Sequence, residues 1–304
     1  MKIKSLTNAF LLFMSIAVFS VSCDDDDDNP AAQPNIAAIV STNPDFSILN
    51  TAITRAGLAS ALSSGTLTVF APDNAAFAAS GITLATVNSL PVATLDSILK
   101  YHVLGSQVSS ANVPASDAVP TLLGTSLFAS RNTNGVFVNG IKVKTADVSA
   151  SNGVIHVISK VLIPPTKTIA QIAAGDPNFS FLLAAVTKAG LAGAVSGPGK
   201  FTVFAPTNAA FQAAGFNTIA DINAASTDLI TTVVRYHVLT TNVFAGDLTD
   251  GLTTASLQGG NLTVNLTPAR VKISSSANPS SNITATDIVA TNGVIHVLDR
   301  VLLP

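Results

Sequence analysis

Apolar positions recur at helical spacing in two stretches far apart in the chain. Phe46, Leu49, Ile53 and Ala56 fall on one face of a helix, and Phe179, Leu182, Val186 and Ala189 repeat the pattern, with Gly57 and Gly190 as natural stops. Each is followed by a short apolar strand, LTVF at 67–70 or FTVF at 201–204, closed by Pro72 or Pro206. Asp73 or Thr207 then stands where it can cap a short helix carrying Phe77 or Phe211. A second helical stretch, TLDSILKYHVL at 94–104 or TDLITTVVRYHVL at 227–239, leads into a Tyr–His step. Residues 119–163 and 252–304 are rich in Val, Ile, Leu and Thr, with turn signals at Asn134–Gly135, Asn139–Gly140 and Asn152–Gly153. Helices first and strands later predict an α+β domain, twice over.

The duplication extends to the residues themselves. FSILNTAITRAGLASAL at 46–62 aligns with FSFLLAAVTKAGLAGAV at 179–195, and YHVL and NGVIHV each occur once per copy. The spacing between copies grows late in the chain, which places extra residues of the second copy in the Ser/Asn-rich stretch at 274–282, a loop by composition. The copies meet at Pro164 and Pro165, a short, stiff connector. The expected division is 34–165 for the first domain and 166–304 for the second.

The first residues have a different character. Lys2 and Lys4 precede the apolar run Ala9–Val21, which is shorter than the roughly 20 residues a spanning helix needs. Residues 1–22 read as an export signal. Cys23, the chain's one cysteine, follows directly and resembles the lipidated cysteine of a bacterial lipoprotein, although Ser20 stands where Leu or Val is usual. Asp24–Asp28 should stay solvated, and 23–33 then form a lipidated acidic tether. That acidic run is similar to the surface-export signal of Bacteroidota lipoproteins. The expected place is an outer membrane, facing outward or into the periplasm.

Composition narrows the chemistry. All 17 acidic residues are Asp, Trp is absent and 11% of residues are charged; a net charge of −2 gives no basic field suited to nucleic acid. SGPGKF at 196–201 is not a phosphate-binding loop, because Phe201 follows the lysine and a strand follows the turn. Zinc needs three or four convergent ligands, whereas each copy offers two histidines and no second cysteine exists. No nucleophilic serine elbow is present, so no catalytic residue, metal or cofactor is expected.

The four histidines lie in the two repeated phrases. Strand alternation puts Val154, His156 and Ile158 on one face and Ile155, Val157 and Ser159 on the other, both largely apolar, as in a central strand. Asp299 falls on the face opposite His296 and cannot orient it as a triad carboxylate would. His156 and His296 are therefore expected to be hydrogen-bonded architecture, for instance to a backbone carbonyl. Tyr101–His102 and Tyr236–His237 can place the phenol at a wet edge and the imidazole inward, or the reverse.

TVFAPDNAAF (68–77) and TVFAPTNAAF (202–211), the Tyr–His pairs, and NGVIHVISKVLIP (152–164) and NGVIHVLDRVLLP (292–304) resemble the conserved boxes of the fasciclin domain, in order and in both copies. Ala75 and Ala209 stand where many members carry Glu. The resemblance implies two tandem α+β domains, each a wedge-shaped β-sandwich with helices packed on one side. It also implies a non-catalytic adhesion module whose partner is an extracellular protein or glycan. In animal members the tyrosine–histidine region resembles a receptor-contact motif, which makes Tyr101, His102, Tyr236 and His237 candidate partner contacts alongside a buried anchoring role. The alternative role is capture of a glycan or another small ligand at the surface or in the periplasm.

Overall fold

Polar side chains cap three helices of the first repeat, and apolar stripes bury its longer ones. The computed structural model describes residues 33–197, 199–273 and 279–303. The expected signal at 1–22, Cys23, most of the tether, and 274–278 of the expected loop lie outside the described residues. The side chain of Asn35 accepts from Ala38 N to open α1 (Ile36–Thr42). In α2 (Ser47–Ala56), Leu49, Ala52 and Ile53 are buried, and Gly57 ends the helix at φ 69°, the left-handed position where glycine is favoured.

All six residues of β1 (Leu67–Pro72) are buried. Asp73 caps α3 (Asn74–Ala79) as expected, accepting from Ala76 N. Two further helices, α4 (Leu84–Ser89) and α5 (Val92–Tyr101), precede the strands β2 (Val103–Leu104), β3 (Ser116–Pro120), β4 (Ser126–Asn132), β5 (Gly135–Val138), β6 (Ile141–Ala150) and β7 (Gly153–Ile158). Asn139 and Gly140, at φ 46° and 75°, form the two-residue turn between β5 and β6.

The second repeat follows the same order. Its helices are α6 (Ile169–Gly175), α7 (Ser180–Lys188), α8 (Ala192–Ser196), α9 (Asn208–Ala213), α10 (Ile219–Ala224) and α11 (Thr227–Tyr236). Its strands are β8 (Phe201–Pro206), β9 (Val238–Leu239), β10 (Leu252–Ala255), β11 (Asn261–Leu266), β12 (Ala269–Ile273), β13 (Ser281–Ala290) and β14 (Gly293–Leu298).

Among the described residues each repeat holds one seven-stranded sheet, ordered β2-β1-β7-β6-β5-β4-β3 and β10-β11-β12-β13-β14-β8-β9. One pair in each, β1 with β7 and β14 with β8, is parallel. Alternation along these strands separates two cores. Val69, Ala71 and Ile155 face the helices with Leu49, Ile53 and Leu99, whereas Phe70 and Ile158 face Leu127, Val138 and Val143 across the curled sheet. Register shifts within β6, between Val143 and Val148, bend that strand. The result is the α+β sandwich with a helical side that the sequence implied.

The parallel pair closes on a glycine. A Cβ at Gly153, whose φ is 149°, would lie 2.0 Å from Leu67 O, and one at Gly293 would lie 2.0 Å from Phe201 O. Asn152 anchors the same corner. Its Oδ1 accepts from Ile36 N at 2.9 Å and its Nδ2 donates to Leu62 O at 3.0 Å, while Asn292 accepts from Ile169 N and donates to Val195 O and Gly197 O. The Asn–Gly of NGVIHV thus joins the first helix of each repeat to its central strand.

Substituting Gly153→Ala should destabilise the chain by at least about 2 kcal/mol, since backbone strain and a backbone clash combine. Gly81→Ala, at φ 69° with nothing within 4 Å of an added Cβ, should cost only about 1 kcal/mol. Urea unfolding curves of the two variants check this, and equal losses would contradict the close approach.

Candidate functional site

The Tyr–His step sits where a helix hands the chain to a strand. His102 is the C-cap of α5 and is buried. Its Nε2 accepts from Leu162 N at 2.9 Å, so the ring proton lies on Nδ1 and is donated to Ile98 O at 2.8 Å. His237 repeats both bonds, to Leu302 N at 2.9 Å and Val233 O at 2.7 Å. Each imidazole ties the end of its helix to the segment after the last strand. Burial keeps both rings neutral and pushes their pKa down to about 4.

The tyrosines differ. Tyr101 is fully buried; its hydroxyl accepts from Asn139 Nδ2 at 2.9 Å and donates to Ser126 O at 3.3 Å. Tyr236 is half-buried. Tyr101, His102 and His237 therefore offer no side-chain surface to a partner, which corrects the contact expectation for these three and leaves Tyr236 alone partly exposed.

His156 and His296 are also buried, and they hold a different piece of backbone. His156 stacks on Phe70 at 5.5 Å, accepts at Nδ1 from Asp147 N at 3.2 Å and donates from Nε2 to Val108 O at 2.9 Å. His296 packs at 5.6 Å from Phe204, accepts from Asp287 N at 3.4 Å and donates to Val243 O at 2.8 Å. Buried Thr68 and Thr202 complete the arrangement. Thr68 donates to Ser106 O and accepts from Val108 N, and Thr202 does the same with Thr241 O and Val243 N. Residues 106–110 and 241–245 thus form a strap whose backbone is held by Thr and His from the central strands.

Asp299 accepts from Asn282 N at 2.7 Å and lies away from His296. The carboxylates that do serve the strap are Asp147 and Asp287, both at φ 59° in the bent strands. Asp147 accepts from Ser110 N at 2.8 Å and from Ser110 Oγ, and these bonds hold its carboxyl below the usual range. Asp287 accepts from Ala245 N at 2.8 Å, but burial pushes its carboxyl up. Sequence reading missed both. The available signal was an Asp at the same distance before each NGVIHV.

The strap of the second repeat is also the contact between repeats. Phe244 packs on Phe128 of β4 at 5.6 Å, in a buried group with Val294. Asn132 Nδ2 donates to Gly246 O at 2.8 Å, and Ser130 Oγ donates to Asp247. Gly246 lies so close to Phe137 that a Cβ would come within 2.4 Å of its ring. Lys200 pairs with Asp117 at 2.5 Å and lies 6.0 Å from the Phe128 ring centre. The stiff connector is therefore accompanied by direct packing.

Chemically, the repeated phrases are wiring. All four imidazoles have both nitrogens engaged by backbone groups. Among the described residues no three His, Cys, Asp or Glu side chains are placed to hold a metal ion.

The neutral histidines make stability depend on acid. For His102 and His237 the pKa of about 4 lies below the ordinary 6.5, so at these two residues the unfolded chain binds more protons between those values. Stability is full above pH 6.5, falls as pH drops through 6.5 and has lost its whole histidine share below pH 4, roughly 3 kcal/mol per residue. Urea unfolding at pH 7, 5.5 and 4 should show this fall, and His102→Gln should be less stable at pH 7 yet lose less between pH 6.5 and 4.

A family model described as fasciclin domain matches residues 44–164 and again 177–304. The chain is 31% identical over 258 residues to the transforming growth factor-beta-induced protein ig-h3 of Sus scrofa, covering 79% of this chain and 35% of that protein. It is 38% identical over 149 residues to protein sll1483 of Synechocystis, covering 49% of this chain and 79% of that protein. The chain thus spans about a third of the length of ig-h3. A solved domain pair from the insect cell adhesion molecule fasciclin I aligns at 20% identity and a TM-score of 0.42, covering 84% of this chain and 96% of that one. Two successive matches to one family model, over most of its length, make this chain a tandem member of the fasciclin domain family.

Proposed function

We propose that the chain is a non-catalytic adhesion or ligand-binding protein, attached to an outer membrane through a lipid on Cys23 and displayed outward. Family membership supports adhesion, the role the sequence resemblance implies. The observation that carries the reading is the junction of the two domains: Phe244 on Phe128, Asn132 on Gly246 and Lys200 on Asp117. Two modules packed this way present a single composite surface, and a partner that engages one finds the other already positioned. The engagement of every histidine by backbone supports a role without acid–base chemistry. An apolar leader ending at Cys23 and followed by Asp24–Asp28 supports lipid attachment and export.

An open cleft of about 630 Å³ beside the connector favours, as a second reading, capture of a small ligand. Beads coated with residues 33–304 distinguish the two. Adhesion predicts that they retain whole cells and release them when free 33–304 is added; saturable binding of a small glycan with no cell retention would favour capture. Cys23→Ser should move the full chain from the membrane fraction to the soluble one, and unchanged fractionation would remove the lipid anchor.

A further inference from the structure

The cleft at the junction has an unusual charge for this chain. The protein carries a net charge of −2, yet Lys142 and Lys160 from the first domain and Lys167 just past the connector line one concavity. Four lysines elsewhere are matched: Lys100 with Asp96, Lys144 with Asp73, Lys200 with Asp117, and Lys188 with two backbone carbonyls. Among the described residues no ion pair or side-chain hydrogen bond engages the three cleft lysines. Like charges gathered on a concave wall repel one another and focus a positive potential into the space between them.

The remaining lining defines what could neutralise them. Asp287 is the one carboxylate there; it is held by Ala245 N–H, and Lys160 acts on it electrostatically. Hydroxyls of Ser159, Thr166 and Thr286 line the cleft, and no aromatic ring does, so a neutral sugar has no stacking platform. The volume lies within the range of small-ligand sites, roughly 300–1,000 Å³.

We propose that this interdomain cleft binds a small polyanion of about disaccharide size, carrying two or more carboxylate or sulfate groups that the ammonium groups of Lys142, Lys160 and Lys167 neutralise. The inference rests on the ligand-binding reading above and gives it a site. The shared chemistry is an acidic sugar, supplied either as a free oligosaccharide or as a segment of an acidic polysaccharide.

The test is calorimetric titration of the full chain in detergent with digalacturonate, a disulfated disaccharide, polygalacturonate and neutral cellobiose. Saturable binding of one charged disaccharide per chain, weakened by added salt and absent for cellobiose, is expected. Lys142→Ala/Lys160→Ala/Lys167→Ala should weaken it by about tenfold or more, and Lys272→Ala, outside the cleft, should leave it unchanged. Equal affinity for dimer and polymer would assign the free acid, and tighter polymer binding the polysaccharide. Cellobiose binding as tightly as digalacturonate, an unchanged affinity in the triple variant, or no binding of any anion at millimolar concentration would overturn the proposal. Cell retention by coated beads is scored separately: anion binding without retention supports the cleft and removes adhesion, and retention without anion binding does the reverse.

Discussion

Backbone N–H and C=O groups that leave water must find partners, and the strap between helix and sheet is where this chain meets that requirement with side chains. Segments 106–109 and 241–244 belong to no helix or strand, yet they lie against the central strands. Thr68 and His156, or Thr202 and His296, bind the groups that a ladder would otherwise satisfy. Asn152 and Asn292 do the same for the first helix of each domain, and His102 and His237 for the segment after the last strand. Leaving one such group unpaired costs about 1–3 kcal/mol, which is reason enough for these residue types to recur in both copies.

The strap also explains how two similar domains form an asymmetric pair. In the second domain its Phe244, together with Gly246 and Asp247 of the 3-10 turn that follows, packs onto β4 and β5 of the first. Counting from the tyrosine, Ser109, Ala111 and Asn112 hold those places in the first domain. They lack the ring that packs, the glycine that permits close approach and the carboxylate that accepts from serine. The same backbone device therefore serves as internal support in one copy and as a docking element in the other.

Much of this was legible in the sequence because it is periodic. The helical stripes at Phe46–Ala56 and Phe179–Ala189, the Asn139–Gly140 turn and the alternation around His156 all follow from local geometry, and the side of the strand taken by Asp299 followed with them. The parts that were not legible depend on contacts distant in sequence. Asp147 and Asp287 matter because register shifts bend their strands into a left-handed position, and alternation alone cannot show a shift. Tyr101 is buried because the Asn139 turn reaches it; the second copy carries the longer SSSANPSS stretch at the corresponding place. The packing of Phe128 on Phe244 joins residues of different repeats, and nothing near either one announces it.

The most direct measurement is the tautomeric state of the four imidazoles by long-range nitrogen–proton correlation spectroscopy at neutral pH. If the repeated histidines are architecture, His102 and His237 will each carry a single proton on Nδ1, and His156 and His296 a single proton on Nε2. Mixed tautomers, or ring protons exchanging freely with solvent at any of the four, would show an imidazole not held by backbone and would contradict the central claim.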